Sequence, residues 1–249
     1  MSTRRLIFFF ALAVTYFLGM SVASAQWNRV TPGKQWGVGM VLRTTGVGLT
    51  FNQEYKLNQK GRRMLAYAEL VTVKHPSEIK IVNQGAQSPT PYVYGKLYHT
   101  FMSRLGVGMN QSVISRTASN AIGFSVEGYA GLSVASLRPV YLDVMTYQAN
   151  DKTPIIRSQR YDPATHTNQA DIVGYSRQEK GWSEIENRLG GNLTLAARLD
   201  WGRSHIGKQV GVGVMVDYFP SDLPIMATSP NANLFATPFV RFMWYFSRG

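Results

Sequence analysis

The sequence predicts an all-β chain, a closed antiparallel transmembrane β-barrel of the outer-membrane type. Three features predict it: a secretory leader, short runs of alternating apolar residues after it, and the lack of any later stretch long enough for a membrane helix. Met1 to Arg5 carries two arginines, Leu6 to Leu18 is almost entirely apolar, and Ala23-Ser24-Ala25 forms a small-x-small cleavage site before Gln26. The apolar run of about 13 residues falls short of the roughly 20 that a helical span needs. Residues 1–25 are therefore expected to be a cleaved signal peptide and 26–249 the barrel domain, exported to the outer membrane of a Gram-negative envelope. Lipid leaves no partner for open strand edges, so a membrane form without helices has to close on itself.

Composition agrees. Of 249 residues, 45% are hydrophobic and only 16% charged, yet the mean hydropathy is −0.13. Apolar residues must then be dispersed in short pieces. With no cysteine, disulfides, thiolate metal sites, cysteine nucleophiles and lipidated N-terminal cysteines are excluded. The net charge is +12, and about +10 without Arg4 and Arg5. These basic residues are spread along the chain with no dense run and no recognition-helix pattern, so contact with anionic lipid and lipopolysaccharide is expected rather than nucleic acid.

Eight segments alternate with period two. They cover about 36–43, 46–56, 62–72, 93–111, 119–135, 191–201, 208–218 and 236–247. In the seventh, Val210, Val212, Val214 and Val216 oppose Gly211, Gly213 and Asp217; in the eighth, Val240, Phe242, Trp244 and Phe246 oppose Arg241, Met243 and Tyr245. Aromatics cluster near strand ends (Trp36, Trp201, Tyr218, Trp244, Phe246), as interfacial girdles do, which separates a barrel from a soluble sandwich. The connections alternate as well. Those at 57–61, 112–118 and 202–207 are short. Of the four on the other side, 73–92, 136–190 and 219–235 are long while the first, at Thr44-Thr45, is short, a pattern close to short periplasmic turns and long external loops. Eight strands follow. Ten stay open, because Pro139 to Tyr147 reads as part of an extra hairpin, and Lys180 to Leu189 in the long external loop is a candidate short helix.

Eight strands enclose a lumen that side chains can fill. With the polar face inward, Arg43, Arg63, Lys96, Arg104, Arg198 and Arg241 point inside with Glu54, Glu69, Glu127, Asp200 and Asp217. Near-balance of charge in a water-poor interior implies a paired network rather than a conducting pore. Inward glycines such as Gly37 and Gly106 make room for long side chains, and G-x-G within a strand is no nucleotide loop.

No catalytic, cofactor or metal residues are predicted. His99 has the apolar parity of its strand, His205 lies in a short turn, and Asp162, His166 and Asp171 lack the spacing of a metal site. The loop from Leu137 to Gly190 exceeds the roughly 12–15 residues beyond which unstructured loops are uncommon. Its Arg160, Tyr161, Tyr175 and Trp182 are of the types that dominate binding hot spots, so it is expected to bind a protein partner.

The stretches VKHPSEIK (Val73–Lys80), YVYGKLYHTFMSRLGVG (Tyr92–Gly108), GLSVASLRPVYLDV (Gly131–Val144) and LPIMA (Leu223–Ala227) resemble a family of small outer-membrane barrels of Bacteroidetes. The resemblance runs over about residues 36–247. Arg138 and Asp143 stand where that family has a lysine and a glutamate. It implies fold and location and assigns no catalytic residue. The expected role is a non-enzymatic barrel, structural or accessory to a secretion or barrel-assembly complex. The alternatives are a lipid-modifying or proteolytic barrel enzyme, or a narrow channel.

Overall fold

The computed structural model describes residues 34–57, 61–85, 89–115, 121–148, 151–177, 179–202 and 206–247. The expected signal peptide and His205 lie outside them.

Strands β1 (Lys34–Arg43), β2 (Gly46–Lys56) and β3 (Arg62–Val73) come first, then the two-residue β4 (Lys80–Ile81) and β5 (Tyr92–Val93). Next are β6 (Tyr98–Ile114), β7 (Gly123–Pro139), β8 (Tyr141–Gln148), β9 (Asp151–Arg160) and β10 (Ile172–Tyr175). The last are β11 (Glu186–Gly202), β12 (Ile206–Leu223) and β13 (Ala232–Ser247). Eight of these form one closed barrel in the order β1-β13-β12-β11-β7-β6-β3-β2. Every neighbouring pair is antiparallel, and β1 closes on β13 through registers such as Trp36↔Phe246 and Leu42↔Val240.

Period-two alternation fixes which way each side chain points, because slipping by one residue would exchange the two faces. Inward positions are buried: Val41 and Arg43 on β1, Leu65, Tyr67 and Glu69 on β3, Glu127 and Tyr129 on β7, Arg241 and Met243 on β13. Their neighbours point out and are exposed, Leu49 by 63%, Leu105 by 64% and Leu132 by 61%. The glycines at inward positions admit rings. An added Cβ would come within 2.8 Å of the Tyr245 ring at Gly37 and 2.5 Å of the Tyr67 ring at Gly106.

Connections alternate between the two ends. Residues 57–61, 115–122 and 203–205 join strands at one end, and 44–45, 74–97, 140–185 and 224–231 at the other. The wall rises further than the alternation suggested. β7 continues to Pro139 and pairs with β11 from Glu186↔Leu137 onward. Inward Ala135 and Leu137 keep the period there, while polar Ser136 and Arg138 face outward and hide it in the sequence.

The extra hairpin exists but does not enlarge the barrel. β8 and β9 pair from Tyr141↔Arg160 to Gln148↔Asp151 and join β10 in a separate three-stranded sheet of order β10-β8-β9. Eight strands, not ten, close the wall. The helix considered for Lys180–Leu189 is one 3-10 turn, Trp182–Glu184, and from Glu186 the chain is already strand.

Candidate functional site: a filled lumen and an external sheet

The lumen holds two tiers of ion pairs. In the outer tier, Arg104 grips Asp217 through two hydrogen bonds (Nε to Oδ1 and Nη2 to Oδ2, both 2.8 Å) and donates to Glu69 at 2.7 Å. Arg43 donates to the same Glu69 oxygen at 2.5 Å and to Thr237 at 3.0 Å. Ser133 donates to Asp217 at 2.7 Å, Asn192 donates to Ser133 at 2.9 Å, and the Tyr67 hydroxyl donates to Asn192. The inner tier centres on Arg198. It donates to Glu54, lies 3.4 Å from Glu127 and 3.3 Å from Asp200, while Arg63 lies 3.6 Å from Glu54. Arg241 donates to Glu127 and, at 3.1 Å, to the Tyr129 hydroxyl. Planar guanidinium forks suit this work, because each meets carboxylates in two directions at once.

Ten of the eleven charged residues expected in the lumen thus meet inside the barrel. Lys96 does not. It precedes β6 in the long connection, bridges Met226, and donates to Glu78 at 2.6 Å. Gly95, at φ +80, breaks the strand that parity alone would have continued, so Lys96 belongs to the external layer. Burial lowers its pKa from the ordinary lysine value, and Glu78 opposes that shift. The uncharged members of the network, Gln35, Tyr67, Ser125, Ser133, Asn192, Gln209 and Thr237, were missed. Their signal was available, since all share the inward parity of their strands.

Above the outer tier the lumen turns apolar. Val73, Met102, Ala135, Phe219 and Leu223 of the wall pack with Val93, Ile225 and Met226 of the connections. A polar column spanning the barrel would have to pass both tiers and this apolar layer.

The external sheet has its own small core: Tyr92, Val140, Leu142, Val144, Tyr161 and Ile172. That corrects one expectation. Tyr161 is only 4% exposed, packed between Tyr94 and His166, and presents nothing to a partner. Burial pushes its phenol up to about 12. Tyr175 is half-buried, accepts a hydrogen bond from the Val93 amide at 3.2 Å, packs at a tilt against the His99 ring, and burial raises its pKa to about 12. Arg160 is exposed but fastened to the rim, donating to the Tyr98 hydroxyl at 2.8 Å with Glu184 at 3.6 Å. Trp182, 53% exposed, lies flat on Phe101 of the outer wall and under Arg138. These side chains hold the sheet onto the barrel. What the sheet exposes is β9: Ile155, Ile156 and Arg157 are open to solvent, and one edge of β9 pairs with no described strand.

Asp162, His166 and Asp171 do not gather round a common point. The Asp162 carboxylate accepts from Ala164, His166 meets Gln159, and Asp171 accepts from Asn168. Among the described residues no group of three or more histidines and carboxylates is placed to hold a metal ion.

No family model matches the sequence, and no curated protein matches it. Two solved structures are similar in architecture. Neisserial surface protein A aligns with a TM-score of 0.42 and 8% identity over 86% of this chain and 96% of its own. Ail, the attachment invasion locus protein of Yersinia pestis, solved with the heparin analogue sucrose octasulfate, aligns with a TM-score of 0.38 and 8% identity over 87% and 98%.

Proposed function

We propose that this protein is a non-enzymatic outer-membrane barrel of a Gram-negative envelope that holds an external β-sheet at the cell surface. There it serves as a structural or accessory subunit of a secretion or barrel-assembly complex. One observation carries the reading: the barrel is inverted relative to a soluble protein. Its interior is a network of buried ion pairs, and its outside is a continuous apolar belt. On β7 the outward positions Phe124, Val126, Gly128, Ala130, Leu132 and Val134 carry no charge. Ten residues at about 3.4 Å each, tilted by about 40°, span roughly 26 Å, the height of an outer-membrane apolar band. Trp36 stacked on Phe246, with Tyr55 and Trp244 nearby, marks one border of that belt. So much exposed apolar surface would be untenable in water.

A filled lumen leaves the loops as the working surface. β9 offers an extended edge with two exposed isoleucines, the geometry by which a partner's extended segment adds a strand. Fractionation tests the location: the protein should enter the outer membrane and migrate faster in gels unless boiled. Replacing residues 145–156 by a short Gly/Ser turn, across the Val144–Arg157 pair, tests the role. Barrel assembly should persist and co-purifying proteins should be lost. Recovery in the soluble periplasmic fraction would overturn the membrane reading, and retention of every partner would overturn the role of β9.

A further inference from the structure

The outward face of the barrel carries a cationic pocket at its outer end. His99 of β6 and Arg138 of β7 are direct cross-strand neighbours, both on the parity that faces away from the lumen. The chain leaving β10 folds back over them. The Ser176 amide donates to the Tyr141 carbonyl at 3.0 Å, and Gly181, at φ +83, turns the chain so that Trp182 reaches Phe101 and the Arg138 guanidinium, 4.7 Å from its ring. Between wall and flap lies a pocket of about 150 Å³ lined by His99, Arg138, Tyr141, Ser176, Arg177 and Lys180, among others. Such a volume exceeds the roughly 30 Å³ share of one water and admits a tetrahedral oxyanion.

Its electrostatics are the reverse of the lumen's. There, Arg43, Arg104, Arg198 and Arg241 all meet carboxylates. Here none of the described lining residues is acidic, and the carboxylate that touches the lining, Glu184, accepts from the Tyr141 hydroxyl at 2.5 Å. The pocket also sits at a telling height. Arg138 is four residues beyond Val134, the last apolar outward position of β7, which places it roughly 10 Å above the apolar border. At that level an arginine side chain reaches headgroup phosphates. Trp182 and Phe101 lie alongside, as interfacial aromatics do.

We propose that this pocket binds a phosphate monoester, supplied by the phosphorylated glycolipid of the outer leaflet. The inference rests on the outer-membrane reading above and adds a ligand to it. Arginine takes phosphate oxygens through its fork and lysine as a point charge, so the cations carry the recognition, while the Tyr141 and Ser176 hydroxyls donate within the protein, to Glu184 at 2.5 Å and to Ser158 at 2.8 Å. A free sugar phosphate presents the same chemistry.

The test titrates the folded, heat-modifiable protein in neutral detergent with three probes: bisphosphorylated lipid A, its dephosphorylated form, and glucosamine 6-phosphate. The readouts are calorimetry and phosphorus NMR line width. Lipid A should bind and the dephosphorylated lipid should not. Each cation near an anionic headgroup contributes on the order of a fivefold factor, so Arg177→Gln with Lys180→Gln should weaken binding roughly 25-fold. Both side chains are exposed, so the double variant should keep its heat modifiability. Equal affinity for glucosamine 6-phosphate would keep the site and assign it to soluble phosphate. Equal affinity for the dephosphorylated lipid, no binding of any probe, or an unchanged affinity in the double variant would overturn the proposal. Because the titration uses isolated folded barrel, a negative result leaves the membrane reading standing. Periplasmic recovery in the fractionation test would in turn leave the phosphate result standing.

Discussion

Arg104→Ala should be among the most damaging single substitutions in this protein. Arg104 is 2% exposed and joins two carboxylates, Asp217 through paired 2.8 Å bonds and Glu69 at 2.7 Å. Its removal affects the two unequally. Glu69 keeps Arg43 at 2.5 Å, whereas Asp217, fully buried, keeps the Ser133 hydroxyl at 2.7 Å and, among the described residues, no ion pair. The cost is therefore that of one uncompensated buried carboxylate, about 3–5 kcal/mol. With a urea slope of about 2 kcal/mol/M, the unfolding midpoint should fall by roughly 1.5–2.5 M. The assay equilibrates the barrel in lipid vesicles with urea and reads the folded band in unboiled gels. Removing both partners, as Arg104→Ala with Asp217→Ala, leaves the Arg43–Glu69 pair balanced. The double variant should be less destabilised than the sum of the singles by about 1–3 kcal/mol. A single-variant cost below about 1 kcal/mol, or strict additivity, would refute the paired-lumen reasoning.

Other outcomes follow from the same geometry. Val107, 55% exposed near the middle of the belt, should cost about 2–4 kcal/mol when changed to Arg, while Ser136→Arg near the rim should cost about 0–1, both read by urea titration in vesicles. Planar-bilayer recordings of the wild-type protein should show no steady conductance, because both ion-pair tiers and the apolar layer cross the lumen; a large stable conductance would contradict this. In the external sheet, burial raises Tyr161 and Tyr175 to about 12, so the folded sheet keeps phenol protons that an unfolded chain releases near pH 10. Stability of the sheet should hold below pH 10 and fall between about 10 and 12, seen as loss of near-ultraviolet circular dichroism while the barrel still resists unboiled gels.

The barrel wall was legible because its signal is local. Two consecutive residues already declare opposite faces, and eight such runs with alternating short and long connections leave few other ways to close. The same parity assigned Arg43, Glu54 and Arg241 to the interior. Their partners were not legible, since Arg198 and Glu54 stand 144 positions apart and only closure brings them together. Parity failed at Lys96 for a conformational reason. The alternation of Tyr92 to Tyr98 looks continuous in the sequence, yet Gly95 takes a left-handed φ and starts the strand afresh after it. The loop misled through composition: tyrosines spaced along 141–175 suit a contact surface, but Tyr161 forms the core of a small sheet.

Arginine takes three roles here, and solvent access separates them. In the lumen, Arg104 and Arg198 are 2% and 4% exposed, and an uncompensated charge there would cost a large share of a typical domain's stability. Each is consequently bound to acids on other strands, which ties the wall together across its width. At the root of the sheet, Arg160 bonds Tyr98 and leans toward Glu184, a partly solvated contact that adds little to stability but sets the sheet's position on the rim. At the flap, Arg177 is exposed, and water meets the cost of its charge. Nothing in folding requires a cation there, so Arg177→Gln should leave stability within about 0.5 kcal/mol of wild type. Stability gives no reason to hold two exposed basic side chains, Arg177 and Lys180, beside one concave site. A ligand carrying the opposite charge would give one.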